Sequence, residues 1–342
     1  MKSVNLPVLI AISAITVLCA GCKSAPITGR KQMLLMPESQ EVSLGLTAFN
    51  DVTEKEPLSQ NAQYNELVQR VGQRIAAVAD KPDYKWEFKV IASEQQNAFC
   101  LPGGKVAVYE GIIPICATEA GLAVVMSHEI AHALARHGGE RMSQNMAVDG
   151  VKSAVSYVMQ NQDQARKEIV MQAYGVSSQY GVLLPYSRKH ESEADHIGLL
   201  MMARAGYDPR EAPRFWQRFG ALKNGDQPME FMSTHPSDAR RAADLAALVP
   251  EGLKIYEAVP EKFELGVMID PAPPTPVAIA SKPADAPAVE TPQPSTTPPG
   301  ETPPSTPMPA AATVGPAPAA ATASPFSNWK LPTLPPIFSK GQ

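Results

Sequence analysis

The chain has 342 residues, 44% of them hydrophobic, and a formal net charge of −4, which becomes −5 if Lys2 is removed with an N-terminal signal. A slightly acidic chain of this kind is not typical of nucleic-acid-binding proteins, so we expect no nucleic acid among its partners. The length accommodates one domain of ordinary size with further segments at both ends.

The first 21 residues have the layout of a secretory signal. Lys2 precedes an apolar run over residues 6–20, which is shorter than the roughly 20 residues that a membrane-spanning helix requires. The sequence Leu-Cys-Ala-Gly-Cys at residues 18–22 resembles the bacterial lipobox, which implies acylation of Cys22. Lys23 stands where an inner-membrane retention signal would place Asp. We therefore expect a periplasmic lipoprotein, anchored through Cys22 to the inner leaflet of the outer membrane.

Composition divides the rest of the chain into a linker (22–39), a folded domain (40–262) and a C-terminal tail (263–342). Of the 34 prolines, 20 fall from Pro271 onward. A segment of this composition buries too little apolar surface to offset its chain entropy, so the tail is expected to be disordered. Its end, residues 326–338, is apolar again, which fits a docking peptide for an envelope partner and an adventitious sticky end equally well.

Cys100 and Cys116 are the two cysteines that remain after removal of the signal and lipidation. In an oxidising compartment they are candidates for one disulfide. Two buried free thiols are the alternative, and it stays open because the sequence does not report the distance between them.

Hydrophobic periodicity predicts an α+β fold that is mostly helical. Helices are predicted over 38–49, 61–79, 142–159, 162–173 and 189–203. Two short strands, 86–92 and 106–109, flank a Pro-Gly-Gly turn and predict a small antiparallel sheet.

The sequence Ser-His-Glu-Ile-Ala-His at residues 127–132 is the clearest chemical signature. It lies in a proline-free stretch rich in Ala and Leu, which predicts a buried helix. On a helix, His128 and His132 lie one turn apart on the same face and can ligate one metal ion. Glu129 lies about 100° round the helix, where it can act as general base without competing for the metal. A chance His pair is the alternative, but the chain has only six His, and unused polar groups in an apolar helix are costly.

A catalytic zinc ion usually has three protein ligands and one water molecule, so the pair of histidines requires a third ligand. In the predicted helix 189–203, Glu191 and Asp195 lie on one face. Glu191 is the candidate ligand, and Asp195 is placed to hydrogen-bond a ligating His and fix its tautomer. Glu193 and His196 are expected on a solvated or salt-bridged face.

These two motifs resemble those of the gluzincin peptidases that include the CAAX prenyl endopeptidases and HtpX. Within that family the likeness is strongest to the LoiP- and BepA-like periplasmic lipoproteins. It extends to Pro-Ile-Thr-Gly-Arg-Lys-Gln at 26–32, Asn-Ala-Phe-Cys-Leu-Pro-Gly-Gly at 97–104 and Thr-His-Pro at 234–236. The resemblance implies a zincin-like domain that binds one Zn²⁺.

The resemblance also implies roles for individual residues. It assigns zinc to His128, His132 and Glu191, and catalysis to Glu129. In relatives, the His of the Thr-His-Pro segment lies near the metal and an Arg supports it. His235 matches the first position and Arg241 the second, with the adjacent Arg240 as the alternative, and His235 and Arg241 are the candidates for stabilising the oxyanion.

In zinc peptidases of this architecture, an extended substrate pairs with the edge of the small sheet beside the metal. The corresponding strand residues here are Val106, Ala107, Val108 and Tyr109, although a purely structural hairpin is the alternative.

The expected function is hydrolysis of peptide bonds in unfolded or misassembled envelope proteins by a zinc metalloendopeptidase, in a role of protein quality control. The alternative is a chaperone or assembly factor for outer-membrane proteins with little or latent proteolysis. A His235 that caps the zinc would favour that alternative.

Overall fold

The computed structural model describes residues 22–178, 184–221 and 240–270. The signal sequence, His235 and the tail from Pro271 onward lie outside these ranges, and lipidation of Cys22 stays a prediction. In the part of the chain that is described, no helix combines the length and the apolar character needed to cross a membrane.

Helices dominate the described ranges, as predicted, and the α+β, mostly helical class is confirmed. All five helices predicted from hydrophobic periodicity are present, with α7 beginning five residues earlier than expected. The helices are α1 (Glu38–Lys55), α2 (Ala62–Val78), α3 (Ile113–Cys116), α4 (Glu119–Leu134), α5 (His137–Val158), α6 (Gln164–Ser178), α7 (Leu184–Arg204), α8 (Glu211–Ala221) and α9 (Arg241–Ala258). The strands are β1 (Cys22–Ser24), β2 (Lys31–Met33), β3 (Glu87–Ile91), β4 (Ala98–Leu101) and β5 (Lys105–Tyr109).

The sheet beside α4 has three strands in the order β3-β5-β4. β5 runs parallel to β3, its predicted antiparallel partner, and pairs in the antiparallel direction with β4, a strand that the sequence did not predict. A fully antiparallel sheet is therefore the wrong expectation for this region. β1 and β2 form a separate antiparallel pair.

β5 is the central strand, which corrects the prediction that it binds substrate at a free edge. Both of its edges are already hydrogen-bonded, so no further strand can add to it. The physical reason lies in its sequence, because four consecutive apolar residues after Lys105 are typical of the buried centre of a sheet. The four residues concerned, all buried, are Val106, Ala107, Val108 and Tyr109.

α4 passes through the middle of the core and is buried along nearly its whole length, with His132 as its less buried member. Its first turn is capped by Thr118, whose side chain accepts a hydrogen bond from the Gly121 N–H at 3.0 Å. The helix ends where Arg136 adopts a left-handed conformation with φ of 55°. The buried Arg136 guanidinium then forms an ion pair with Glu41 of α1, with Nη2 2.7 Å from Oε1.

The folded unit extends beyond the predicted domain at both ends. In the predicted linker, the Gln32 side chain is buried and donates to the Ala135 carbonyl at 2.6 Å. At the other end, the Leu265 carbonyl accepts from the Ala120 N–H at 3.0 Å, so residues 263–270 lie over the start of α4. The boundaries at 40 and 262 were therefore drawn too narrowly.

Cys100 and Cys116 are free, buried thiols, so the predicted disulfide is wrong. Cys100 lies on β4, whereas Cys116 ends α3 and donates to the Ile112 carbonyl at 3.4 Å. Burial raises the pKa of both thiols, which keeps them protonated and inert.

Candidate metal centre and active site

Three side chains from two helices meet at one point. His128 and His132 of α4 and Glu191 of α7 each offer one ligand atom, and these atoms all lie within 4.8 Å of one another. His128 Nε2 is 3.1 Å from His132 Nε2 and 3.3 Å from Glu191 Oε2, and His132 Nε2 is 3.5 Å from Glu191 Oε1. We call this group the metal triangle.

The dimensions of the metal triangle fit a zinc ion. Bonds of about 2.0–2.1 Å in a tetrahedral arrangement separate the ligand atoms by about 3.3–3.4 Å. The separations observed are close to this, with Glu191 Oε2 facing His128 and Oε1 facing His132. Two imidazoles and one carboxylate are also a ligand set that catalytic zinc prefers. The triangle is therefore suited to zinc in both chemistry and size.

α7 can supply the third ligand because it lies very close to α4. A Cβ atom placed on Gly198 of α7 would lie 3.0 Å from the His128 backbone nitrogen. Any larger residue at this position would force the helices apart and separate Glu191 from the two histidines. The glycine is thus a requirement of the site geometry.

Asp195 lies behind His128, one turn on from Glu191. Its Oδ1 is 3.0 Å from His128 Nδ1, which leaves His128 Nε2 directed toward the other two ligands. Arg241, the first residue of α9, donates to Asp195 from Nε at 2.6 Å and from Nη2 at 2.8 Å. Its Nη1 also lies 3.2 Å from Glu191 Oε2, so one guanidinium holds both carboxylates.

The charges around the metal triangle favour a cation. Burial and the charge of Arg241 lower the pKa of His128, but hydrogen bonds with Asp195 and Glu191 outweigh them and raise it to about 9. His128 gives up its proton when it binds a metal, so the guanidinium of Arg241 is then surrounded by three buried carboxylates and two negative charges are left in excess (3 − 1 = 2): Glu129, Glu191 and Asp195. A divalent ion balances that excess.

Glu129 is buried on α4, on the side of the sheet. α4 packs against β4, and the charge of Glu129, after burial, contributes to the raised pKa of Cys100 on that strand. The His132 side chain is 13% exposed, against 3% for His128. The metal triangle therefore opens toward solvent on the His132 side.

A second buried network, which the sequence did not reveal, lies behind His132. His132 Nδ1 is 2.8 Å from Nδ1 of His137, and His137 Nε2 is 3.0 Å from Glu193 Oε2. Burial lowers the pKa of His137 to about 4, so this ring is neutral near pH 7. Glu193 is buried and ion-paired, so of the two expectations, a solvated or a salt-bridged face, the second is confirmed, and its direction away from the metal triangle is as expected.

Two residues near the site, Trp216 and Arg30, were not predicted from the sequence. The Trp216 ring of α8 lies 3.6 Å from the Arg241 guanidinium carbon, stacked against it. Arg30, in the predicted linker, reaches Glu193. A signal for Arg30 was present, because it belongs to the segment at 26–32 that carried the family likeness, but its separation of 163 residues from Glu193 gave no hint of contact.

The other predicted site residues are distributed as follows. Arg241 is at the metal triangle, where its donors contact carboxylates and the His128 ring, with Nη2 3.0 Å from His128 Nε2. His235 lies outside the described residues. His196 forms an ion pair with Glu251 at 3.0 Å on the surface, as expected.

Comparison with known proteins identifies the family. Residues 62–249 match peptidase family M48. Mitochondrial metalloendopeptidase OMA1 of Schizosaccharomyces pombe is 41% identical over 185 residues, which are 54% of this chain and 52% of that protein. Mitochondrial metalloendopeptidase OMA1 of Saccharomyces cerevisiae is 31% identical over 252 residues, 68% of this chain and 70% of that protein. The beta-barrel assembly-enhancing protease of Yersinia pestis is 26% identical over 217 residues, 60% of this chain and 44% of that protein.

These relatives bear on two predictions, the cellular location and the likeness to BepA-like and LoiP-like proteins. The predicted location in the periplasm, at the outer membrane, is wrong, because the relatives of higher identity are mitochondrial by name. The expected likeness to BepA-like proteins is found at lower identity, and the likeness to LoiP stays a prediction. The chain spans only about half the length of the S. pombe and Y. pestis proteins.

The family match covers more than half of the chain, and the S. cerevisiae relative is covered over 70% of its length. The predicted enzyme class, a zinc metalloendopeptidase, is confirmed at the level of the family. The chain belongs to peptidase family M48.

Proposed function

We propose that this chain is a zinc-dependent endopeptidase that hydrolyses peptide bonds in extended segments of unfolded or misassembled proteins. The observation that carries the proposal is the metal triangle, with Glu129 one residue on from His128 on the same buried helix. This combination of ligands and a neighbouring carboxylate is the arrangement that zinc-assisted hydrolysis requires.

Zinc bound by His128, His132 and Glu191 would polarise a peptide carbonyl and lower the pKa of a bound water molecule. Glu129 is the residue that would accept a proton from the attacking water as general base and would then donate it to the leaving amine. Asp195 would hold the Nδ1 proton of His128, so that Nε2 is the unprotonated nitrogen when a metal binds, while Arg241 holds Asp195 and Glu191 in place. Burial of these groups strengthens each of the interactions.

β4, rather than β5, is the strand to which a substrate would add. Its inner edge pairs with β5, and no backbone partner for its outer edge lies within residues 22–178, 184–221 or 240–270. The outer edge of β3, by contrast, is covered by residues 57–59, since the Ser59 N–H donates to the Val90 carbonyl at 2.8 Å. An extended peptide paired with β4 would lie beside Glu129.

This mode of binding supports selection of unfolded chains. Only a segment without its own secondary structure can add to a sheet edge, so folded proteins would be poor substrates. The relative of Y. pestis is named an assembly-enhancing protease, which is compatible with a role in protein quality control. We include that role in the proposal.

The test uses the full chain with casein and with a reduced, alkylated protein as substrates. Glu129→Gln should lower kcat/KM by roughly 10²- to 10⁴-fold, because the general base is lost, while one zinc ion per chain is retained. Glu191→Ala should lose both zinc and activity. Glu66→Gln, on the exposed surface of α2, is the matched control and should retain both.

Two outcomes would contradict the proposal. The first is full cleavage by Glu129→Gln. The second is a zinc-loaded wild type that binds the alkylated protein without cleaving it, which would favour the chaperone alternative.

A further inference from the structure

Arg30 connects the N-terminal segment to two helices at the back of the metal triangle. Its Nη1 and Nη2 donate to the carboxylate of Glu140 on α5 at 2.9 and 2.7 Å. Its Nε donates to Glu193 Oε2 on α7 at 2.8 Å, and the Thr28 hydroxyl donates to the other oxygen of Glu193. We call residues 28–32, between β1 and the middle of β2, the N-terminal clasp.

Through His137, Glu193 links Arg30 to His132, one of the candidate metal ligands. The chain of hydrogen bonds runs from Arg30 to Glu193, then to His137 Nε2 at 3.0 Å, and from His137 Nδ1 to His132 Nδ1 at 2.8 Å. Glu193 and His137 are buried, so water does not compete for these bonds. The clasp is thereby linked to the one triangle histidine that is open to solvent.

Proton positions along this chain follow from the acceptor at its end. An ionised carboxylate only accepts, so His137 Nε2 carries a proton and donates it to Glu193. His132 must keep Nε2 unprotonated to bind a metal, so its proton is on Nδ1 and is donated to His137 Nδ1. These tautomers satisfy all three groups, and Glu193 selects them.

We propose that Glu193, His137 and Arg30 are positioning residues for His132, and that the N-terminal clasp therefore sets the affinity of the metal triangle for zinc. This inference rests on the metal site of the proposed function and deepens it. A partner at the second nitrogen orients a metal-ligating imidazole and fixes its tautomer, and its loss typically lowers metal affinity about 10- to 100-fold. For His128 that partner is a carboxylate, whereas for His132 it is another histidine that depends on the clasp.

If the same network had only a structural role, Glu193→Gln should not weaken zinc binding more than a similar substitution elsewhere in the core. In that case, Glu193 would resemble the other buried carboxylate that joins an early segment to the core, Glu41, which pairs with Arg136. Glu41 is also buried and also accepts two bonds from one guanidinium, at 2.7 and 3.1 Å. Glu41→Gln is therefore the matched control for Glu193→Gln.

The test measures the zinc dissociation constant of the full chain by competition with a chromophoric chelator. It is paired with the melting temperature of each variant after zinc removal. Glu193→Gln should raise the zinc Kd about 10- to 100-fold. His137→Phe should raise it at least as much, Arg30→Met less, and Glu41→Gln should leave it within about threefold of wild type.

The inference is overturned if Glu193→Gln binds zinc like the wild type, or no more weakly than Glu41→Gln at a comparable loss of melting temperature. Should His137→Phe fail to fold, the comparison of the two Glu→Gln variants still decides the question. A wild type that binds no zinc would overturn the proposed function together with this inference, whereas zinc binding that is insensitive to Glu193 would overturn the inference alone.

Discussion

His128 and His132 lie one helical turn apart, yet the groups behind their Nδ1 atoms differ in length, burial and origin. Behind His128 is a short branch, in which Asp195 contacts the ring and Arg241 contacts Asp195. Behind His132 is a long branch, in which His137 stands between the ring and Glu193. The guanidinium that ends the short branch is 6% exposed, whereas Arg30, which ends the long one, is 20% exposed.

This difference implies that the position of His128 is fixed by the core, whereas the position of His132 can be adjusted. The short branch is built from elements of the core, so its geometry is maintained as long as the domain is folded. The long branch ends in a segment outside the regular helices of the core, which can loosen with less disturbance of the fold. We therefore expect the core to determine the position of His128, and the N-terminal clasp to contribute to that of His132.

The largest effect is expected from breaking the short branch. Arg241→Met removes the buried guanidinium and leaves Asp195 and Glu191 with only His128 as a charged partner, which costs about 3–5 kcal/mol of unfolding free energy. Urea denaturation of the zinc-free protein measures it.

Arg210→Met is the control for Arg241→Met, since the Arg210 guanidinium is 53% exposed and pairs with Asp208 on the surface. It should cost less than about 1 kcal/mol. Equal losses in the two variants would mean that the buried branch has no special role in stability.

Periodicity was sufficient to predict the ligands, but not the groups behind them. His128, His132 and Glu191 follow from helical spacing, because residues four apart share a face and the number of zinc ligands demands a third. Asp195 follows in the same way. Glu193 was correctly expected to point away from the metal, but the sequence did not say that a segment from the N-terminus covers that side of α7.

In the fold, too, features that depend on neighbouring residues were predicted, whereas features that depend on contacts between distant segments were not. Helix α4 and strand β5 were recognisable, since their patterns depend on neighbouring residues. The strand order β3-β5-β4 was not, because it depends on pairing between distant segments, although the four consecutive apolar residues of β5 were a usable signal of a central strand. Trp216 lay in a helix that had not been predicted, so its contact with Arg241 could not be expected.

The long branch should be more sensitive to acid, through Glu140, which shares Arg30 with Glu193. Burial alone would raise the pKa of Glu140, but hydrogen bonds from His190 and Arg30 lower it from 4.5 to about 2. A lowered pKa in the folded state stabilises the protein above about pH 4.5, and this stabilisation is lost as the pH falls toward 2.

Urea denaturation of the zinc-free protein between pH 2.5 and 7 measures this effect. The wild type should lose up to about 1.4 kcal/mol per pH unit more than Glu140→Gln below pH 4.5, because unfolding takes up one additional proton. From pH 5 to 7 the two stability curves should run parallel. Parallel curves over the whole range would show that Glu140 does not have the lowered pKa.

The smallest effect is expected at the aromatic ring on the short branch. Trp216→Phe keeps an aromatic side chain but weakens its stacking on the Arg241 guanidinium, which lies 3.6 Å from the ring centre. We expect a loss of about 1 kcal/mol in unfolding free energy.

Trp86→Phe is the matched control, since Trp86 stacks on Phe88 at 6.2 Å, away from the metal triangle. Both variants should be destabilised, but only Trp216→Phe should release zinc faster to an excess of chelator. Because the carboxylate contacts of Arg241 remain, the increase in that rate should stay below that of His137→Phe, and a larger increase would mean that Trp216 matters more to the ligands than the entire long branch.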